Sequence, residues 1–315
     1  MYIADLHVDT VYRALTNGLR SIPCSHLDLM RMKETGYALQ VFAAFVDVGS
    51  TEYPWETCLK LIACLNDEIS KNSDTVRHVR SGADLTKNVR DGFMSALISV
   101  EEGDVIEGKL SRIDELYELG VRMMTLTWNH RNRLAAPAYD ADSDSVVSPD
   151  DETGGLTPLG RDFVAKLESR RIIIDVSHLS DRAFYELDEI KTRPFIASHS
   201  NARSVHSAPR NLTDDMIRRI AKAGGIIGLN FFSEFIGGQG GFEDLARHAA
   251  HIKKLVGADV LALGSDFDGI PFNPLIPDCR SVPCFRDHLE RFGFTDDEID
   301  GVLGKNAIRF LTENL

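Results

Sequence analysis

The first residues of the chain that could do chemistry stand two apart: Asp5, His7 and Asp9 in MYIADLHVDT. They alternate with Ala4, Leu6 and Val8, which read as a strand entering a core. Alternation sends positions i and i+2 to one face, so His7 and Asp9 point the same way. An imidazole beside a carboxylate can hold a divalent cation or move a proton. A single HxD is weak evidence, because a buried histidine is more often a hydrogen-bonded structural residue.

The elements that would position these groups are short apolar runs rich in Val, Ile and Ala. After residues 2–8 they recur at 38–45, 95–101, 121–127, 171–178, 194–199, 224–230 and 260–266, eight in all. Between them, 111–120, 162–170, 213–224 and 242–257 carry apolar residues at helical spacing. Thr157-Pro158 and Thr213 supply helix-start signals. Strands alternating with helices imply a parallel α/β sheet, and eight units suggest a (β/α)8 TIM-type barrel forming one domain over residues 1–315. A doubly wound open sheet is the alternative. The stretch 129–156 is too long for a simple connection and reads as a loop over the site. Its AYDADSD fails as a calcium loop: counting from Asp140, the sixth position is Ser145 and the twelfth Asp151, where Gly and Glu belong.

Barrel chemistry gathers where strands end. Strand one offers His7 and Asp9, strand three Glu101, strand five His178, strand six His199 and strand eight Asp266. Each alone has a bland reading, and Asp9 or Asp175 could simply bond a neighbouring loop. Joint placement at one end of the barrel raises the odds. Three histidines and three carboxylates exceed one tetrahedral zinc and suffice for two if Glu101 bridges. Imidazole with carboxylate suits Zn2+, and Mn2+ or Co2+ fit the same ligands.

Composition sets outer limits. A chain of 315 residues with 43% hydrophobic content can bury a large core. A formal charge of -13 argues against a nucleic-acid partner, which needs clustered Lys and Arg. No apolar run approaches the roughly 18 residues of a membrane span, and no leader pattern opens the chain, so a cytoplasmic protein is expected. Cys24, Cys58, Cys64, Cys279 and Cys284 form no CxxC pair, which suits free thiols in a reducing compartment.

The motifs DLHVDT, SVEEGD, TLTWNHRN, GLTPLGR, IDVSHLS, SHSNARSVHSAPRN and GSDFDG, in that order, resemble the membrane (renal) dipeptidase family, peptidase family M19 of the amidohydrolase superfamily. The resemblance covers nearly the whole chain. It implies a barrel, commonly dimeric, whose two zincs serve hydrolysis of dipeptides and tolerate a D-residue at the C-terminal position. By position it makes His7 and Asp9 ligands of one metal, Glu101 the bridge, and His178 and His199 ligands of the other. Glu102 stands where the family often has glycine. Asp266 corresponds to the proton shuttle, with Asp268 shaping the turn, and Arg210 to the arginine that receives the substrate carboxylate, with Arg203 a competitor. A family histidine that contacts the substrate carbonyl is replaced here by Trp128, so His130 is expected to supply that contact from a rearranged loop; the alternative is that Trp128 lines the pocket while the contact is lost or made by Asn129.

The expected reaction is dipeptide hydrolysis by hydroxide held between two cations, on L-Xaa-D-Xaa and L-Xaa-L-Xaa substrates. Two alternatives stay open: another amidohydrolase acting on N-acyl amino acids or lactam-type amides, and a catalytically idle ligand-binding barrel. A substrate panel separates the first. Loss of any ligand would have favoured the second, and all are present.

Overall fold

The protein is described by a computed structural model covering residues 2–315. Its strands are β1 (Ile3–Val8), β2 (Tyr37–Phe45), β3 (Val76–His78), β4 (Met94–Glu101), β5 (Val121–Thr125), β6 (Tyr139–Asp140), β7 (Ser145–Val146), β8 (Ile173–Asp175), β9 (Ile227–Leu229) and β10 (Leu261–Leu263). The main sheet runs β8-β5-β4-β2-β1-β10-β9, with every pairing parallel. β4 is buried along its whole length, as a parallel strand covered on both faces must be.

The ring closes through the segment 194–199, which is held by single parallel bridges: Ile196 to Asp175 and Ala197 to Ile227. This sixth run is thus a barrel stave, yet too short-paired to count as a regular strand. The arrangement is the expected TIM-type barrel. Two features were not foreseen in the sequence. β3 pairs with the first residues of β4, and β6 and β7 form a small antiparallel hairpin inside the long 129–156 segment.

Helices cover the outside for readable reasons. In Pro158–Ser169 the Thr157 hydroxyl accepts from Gly160 N at 3.0 Å, and Phe163, Val164 and Leu167 form the buried stripe. In Asp214–Lys222 Thr213 caps the start, two aspartates occupy the first turn, and Arg219 and Lys222 the last, matching the helix dipole. A second, smaller core fills the barrel interior below the site, with Leu6, Val41, Leu97, Met123, Ile173 and Ile196 among its members.

Strand alternation is broken once where it matters. Between Asp5 and Val8, β1 slips one residue against β2. Leu6 therefore packs in the barrel interior while its neighbour His7 also reaches the barrel mouth. A bulge re-aims a side chain in this way.

Candidate active site

His7, Asp9, Glu101, His178 and His199 converge at the open end of the barrel, each under 9% exposed. Glu101, the last residue of β4, divides its two oxygens between two groups. Oε2 lies 3.3 Å from His7 Nε2, and that nitrogen is 3.5 Å from Asp9 Oδ2. Oε1 lies 2.9 Å from His178 Nε2 and 3.6 Å from His199 Nε2. These are two adjoining sets of potential metal ligands sharing one carboxylate.

His178 and Asp266 were expected to end strands; instead they follow them. β8 stops at Asp175, and His178 turns into the mouth at φ +72°; β10 stops at Leu263, and Asp266 does so at φ +63°. Both occupy the left-handed region that non-glycine residues seldom adopt, a conformation retained where it aims a functional side chain.

Residues behind the cluster fix the histidines. Asp175 accepts from Ser177 N at 3.0 Å and Ser198 N at 2.9 Å, and its other oxygen accepts the Ser198 hydroxyl. With its proton committed there, Ser198 Oγ is left to accept from His199 Nδ1 at 2.8 Å. The Nδ1–H tautomer follows, and the Nε2 lone pair faces the site. His178 is oriented likewise: Nδ1 donates to Asn129 Oδ1 at 2.9 Å. Across the barrel, Asp5 accepts from Ser265 N at 2.9 Å and the Ser265 hydroxyl at 2.5 Å, tying β1 to the end of β10.

Charge and burial suit divalent cations. Burial opposes ionisation of Glu101, but His7 and His178 outweigh it and hold the carboxyl well below its usual range. Burial would lower His7, yet Glu101 and Asp9 raise it well above an ordinary histidine; these two buried carboxylates call for a positive charge, which a cation would supply in place of the His7 proton. Burial, with Arg210 second, brings His178 down to about 4, and burial, with His7 second, takes His199 well below its usual range. Both imidazoles are therefore neutral, as a metal ligand must be. His7 Nε2 and Asp9 Oδ1 are buried without hydrogen-bond partners, and His178 Nε2 faces His199 Nε2 at 3.0 Å. Converging lone pairs and orphaned ligand atoms fit metal binding between these side chains.

Asp266 sits beside this cluster. Its Oδ2 is anchored by Asn230 Nδ2 at 3.0 Å, and Oδ1 is 4.0 Å from His7 Nε2. Burial pushes its carboxyl well above the usual range, Asp9 and Glu101 add to that, and His7 opposes it. Asp268 is engaged elsewhere, accepting from Thr10 Oγ1 at 2.7 Å and His26 N at 2.8 Å. Gly269 has to be glycine: a Cβ there would lie 2.1 Å from Asp9 Oδ2 and 2.6 Å from Asp266 Oδ1.

Arg210 and Arg203 separate cleanly. Arg203 makes a bidentate pair with Asp181 at 2.6 and 2.7 Å and donates to the Asn211 and Pro209 carbonyls, bracing the loop that carries Arg210. Arg210 is 7% exposed, and its Nε and Nη2 have no partner. Burial lowers it to about 10, which leaves it a cation at neutral pH.

The three residues after β5 part company. Trp128 lines a cleft of about 560 Å³ together with Asp9, Glu101, His178 and Asp266. Asn129 also borders the cleft, with its carbonyl oxygen committed to His178. His130 has both ring nitrogens engaged, Nε2 with Asp47 and Nδ1 with Asp142, each at 3.1 Å. Glu102, fully buried at φ +89°, accepts from Trp128 N at 2.9 Å, Asp104 N at 3.0 Å and Asn132 Nδ2 at 2.5 Å. The acidic hairpin is satisfied by protein groups: Asp140 takes Arg131 at 3.1 Å, Asp142 takes His130, and Asp144 takes the Tyr139 hydroxyl.

Sequence reasoning missed the Asp175–Ser198 and Asp5–Ser265 units. Asp5 lies two residues before His7 and Asp175 three before His178, but their serine partners come from distant strands. It also missed Tyr12, Phe45, Phe232 and Phe235, which line the cleft from the helix Val11–Asn17, the end of β2 and the segment after β9.

Comparison with known proteins agrees with this geometry. A solved metallopeptidase from Rhodobacter sphaeroides, liganded with a phosphinate mimic of the dipeptide L-Ala-D-Ala, superposes with a TM-score of 0.90 at 26% identity, covering 100% of this chain and 99% of that one. A solved dipeptidase of family M19 gives 0.90 at 27% identity, covering 100% and 98%. An uncharacterized dipeptidase of Schizosaccharomyces pombe is 28% identical over 310 residues, 93% of this chain and 72% of that protein. A family model described as membrane dipeptidase (peptidase family M19) matches residues 1–314. The chain belongs to the membrane dipeptidase family, peptidase family M19, and is a metallo-dipeptidase.

Proposed function

We propose that this metallo-dipeptidase works with two zinc ions and cleaves L-Xaa-D-Xaa as well as L-Xaa-L-Xaa dipeptides. The observation that carries the reading is the division of Glu101 between His7 with Asp9 on one side and His178 with His199 on the other. His7, Asp9 and Glu101 Oε2 would hold one cation, and His178, His199 and Glu101 Oε1 the second. When bound, such a pair lowers the pKa of water toward neutrality and polarises a carbonyl.

The remaining steps fall to the chain's own groups. The unpartnered, buried guanidinium of Arg210 receives the substrate's terminal carboxylate, a planar anion matched to its fork. That clamp measures substrate length and sets the scissile bond over Glu101. Asp266 accepts the nucleophile's proton on Oδ1, the oxygen not held by Asn230, and returns it to the departing amine. Asn129 keeps His178 aimed, Trp128 forms a cleft wall, and His130 pins the loop carrying both to Asp47. Tolerance for a D-residue is supported by the phosphinate mimic of L-Ala-D-Ala in the Rhodobacter sphaeroides relative. The five free cysteines suit the cytoplasm, and family resemblance favours a homodimer.

The test is metal content of the purified protein with hydrolysis of L-Ala-D-Ala before and after chelation. About two zinc equivalents per chain and activity lost to chelator and restored by zinc are expected. Two equivalents with hydrolysis of N-acyl amino acids only would move the substrate to that class. No bound metal would overturn the reading.

A further inference from the structure

The cleft has two aromatic walls that come from opposite sides of the barrel. Phe232 and Phe235 follow β9, with ring centroids 4.8 Å apart, and Arg210 lies 5.6 Å over Phe235. The carboxylate-binding end of the cleft is therefore on this side. Phe45 ends β2, and Trp128 follows β5; their rings meet edge to face at 4.8 Å, and Tyr12 meets Phe45 at 6.5 Å. In the strand order β8-β5-β4-β2-β1-β10-β9, this second wall lies across the mouth from the first, with Glu101 at the end of β4 beside it.

A dipeptide anchored by its carboxylate at Arg210, with its amide over Glu101, must direct its N-terminal side chain toward the second wall. Resting on the dipeptidase reading, we infer that Trp128, Phe45 and Tyr12 form an apolar subsite for that side chain, selecting dipeptides with a large apolar or aromatic N-terminal residue. Trp128 is the specificity-determining residue. Its ring stands between Phe45 and His178, the latter at 6.3 Å, so it meets the first residue of the substrate next to the metal-type cluster. Its loop is anchored on two sides. Glu102 grips the Trp128 and Asp104 amides and the Asn132 side chain from full burial, and His130 ties the same loop to Asp47. A preformed apolar wall rewards each added methylene and rejects polar side chains that cannot be solvated there.

The experiment uses the zinc-loaded enzyme and the substrates Gly-D-Ala, L-Ala-D-Ala, L-Asp-D-Ala, L-Leu-D-Ala and L-Phe-D-Ala. We expect kcat/KM for the Phe and Leu substrates to exceed that for Gly by about tenfold or more, carried mainly by KM. Trp128→Ala should collapse the Phe-to-Gly ratio toward one, and Trp128→Phe should leave an intermediate ratio. Equal ratios in wild type and Trp128→Ala would overturn the inference. So would a wild-type preference for Gly or Asp.

A binding measurement separates this from failure of the dipeptidase reading. The chain has two tryptophans, and Trp55 is buried in the helix Pro54–Lys71, outside the cleft lining. A phosphinate mimic of L-Phe-D-Ala should therefore change the emission of Trp128. The change should persist in Trp55→Phe and vanish in Trp128→Phe. Cleavage of no dipeptide with that response retained would sink the dipeptidase reading and uphold the aromatic subsite. Absence of the response in wild type would sink the subsite.

Discussion

Asp266 uses its two carboxylate oxygens differently, one fixed by Asn230 and one presented toward His7 and Asp9. Asn in its place keeps the shape and can keep the Asn230 contact, but it cannot take up a proton. Asp266→Asn should retain the wild-type metal content and lose turnover by roughly 10²–10⁴-fold, measured as kcat on L-Ala-D-Ala with metal analysis of the same sample. Wild-type turnover in this variant would remove the residue from proton transfer. The residue types His7, Asp9, Glu101, His178, His199 and Asp266 were legible because each falls at or just beyond a strand's C-terminal end. The competition between Arg203 and Arg210 was not, because both are arginines in one loop. Only their partners decide it: Asp181 saturates Arg203, while Arg210 is buried with free donors.

At the scale of elements, two strand termini are welded by buried aspartate–serine pairs. Ser198 is the hinge of the chain Asp175–Ser198–His199, and removing its hydroxyl leaves His199 Nδ1 without its acceptor. Ser198→Ala should weaken metal retention by about 10–100-fold while Ser198→Thr restores it, read as metal per chain after dialysis against graded chelator. Equal retention in both variants would show that the tautomer is fixed otherwise. At the other end of the barrel, β3 carries His78, which burial, with Arg80 and Arg122, lowers to about 4. Between about 4 and the ordinary 6.5, the unfolded chain binds a proton that the fold refuses. This contribution to stability is complete above pH 6.5 and is lost as pH falls toward 4. His78→Gln should therefore lose less melting temperature than wild type between pH 7 and pH 4.5, a difference on the order of 2 kcal/mol. Parallel pH profiles for the two proteins would contradict this.

Over the whole molecule, closure of the barrel depends on the thinly paired stave 194–199. Its Ser198 carbonyl intrudes so far that a Cβ at either Gly228 or Gly264 would come within 1.8 Å of it. Neither glycine is there for an unusual dihedral; each leaves room for the backbone of the stave 194–199. Gly264→Ala has to push apart the segment that carries both Ser198 and His199, so a loss of roughly 4 kcal/mol or more, or failure to fold, is expected. Thermal unfolding and soluble yield would check it, and a variant with wild-type stability would mean that the stave is free to shift. Apolar surface also marks the molecule: Tyr12 is 44% exposed at the cleft rim, and Phe272 is 68% exposed near it.

By itself the sequence determined the eight barrel staves and their order, because hydrophobic period and capping chemistry are local and act within a few residues. It also determined which imidazoles and carboxylates would converge, since such groups at strand ends can meet only at a barrel mouth. The tertiary structure alone decided what depends on separation in space. The bulge between Asp5 and Val8 that turns His7 inward, the aspartate that orients from another strand the serine setting a histidine tautomer, and the aromatic walls assembled from four segments all require neighbours dozens to hundreds of residues apart. No local spacing encodes such neighbours, because it is the closing of the sheet into a ring that brings them together.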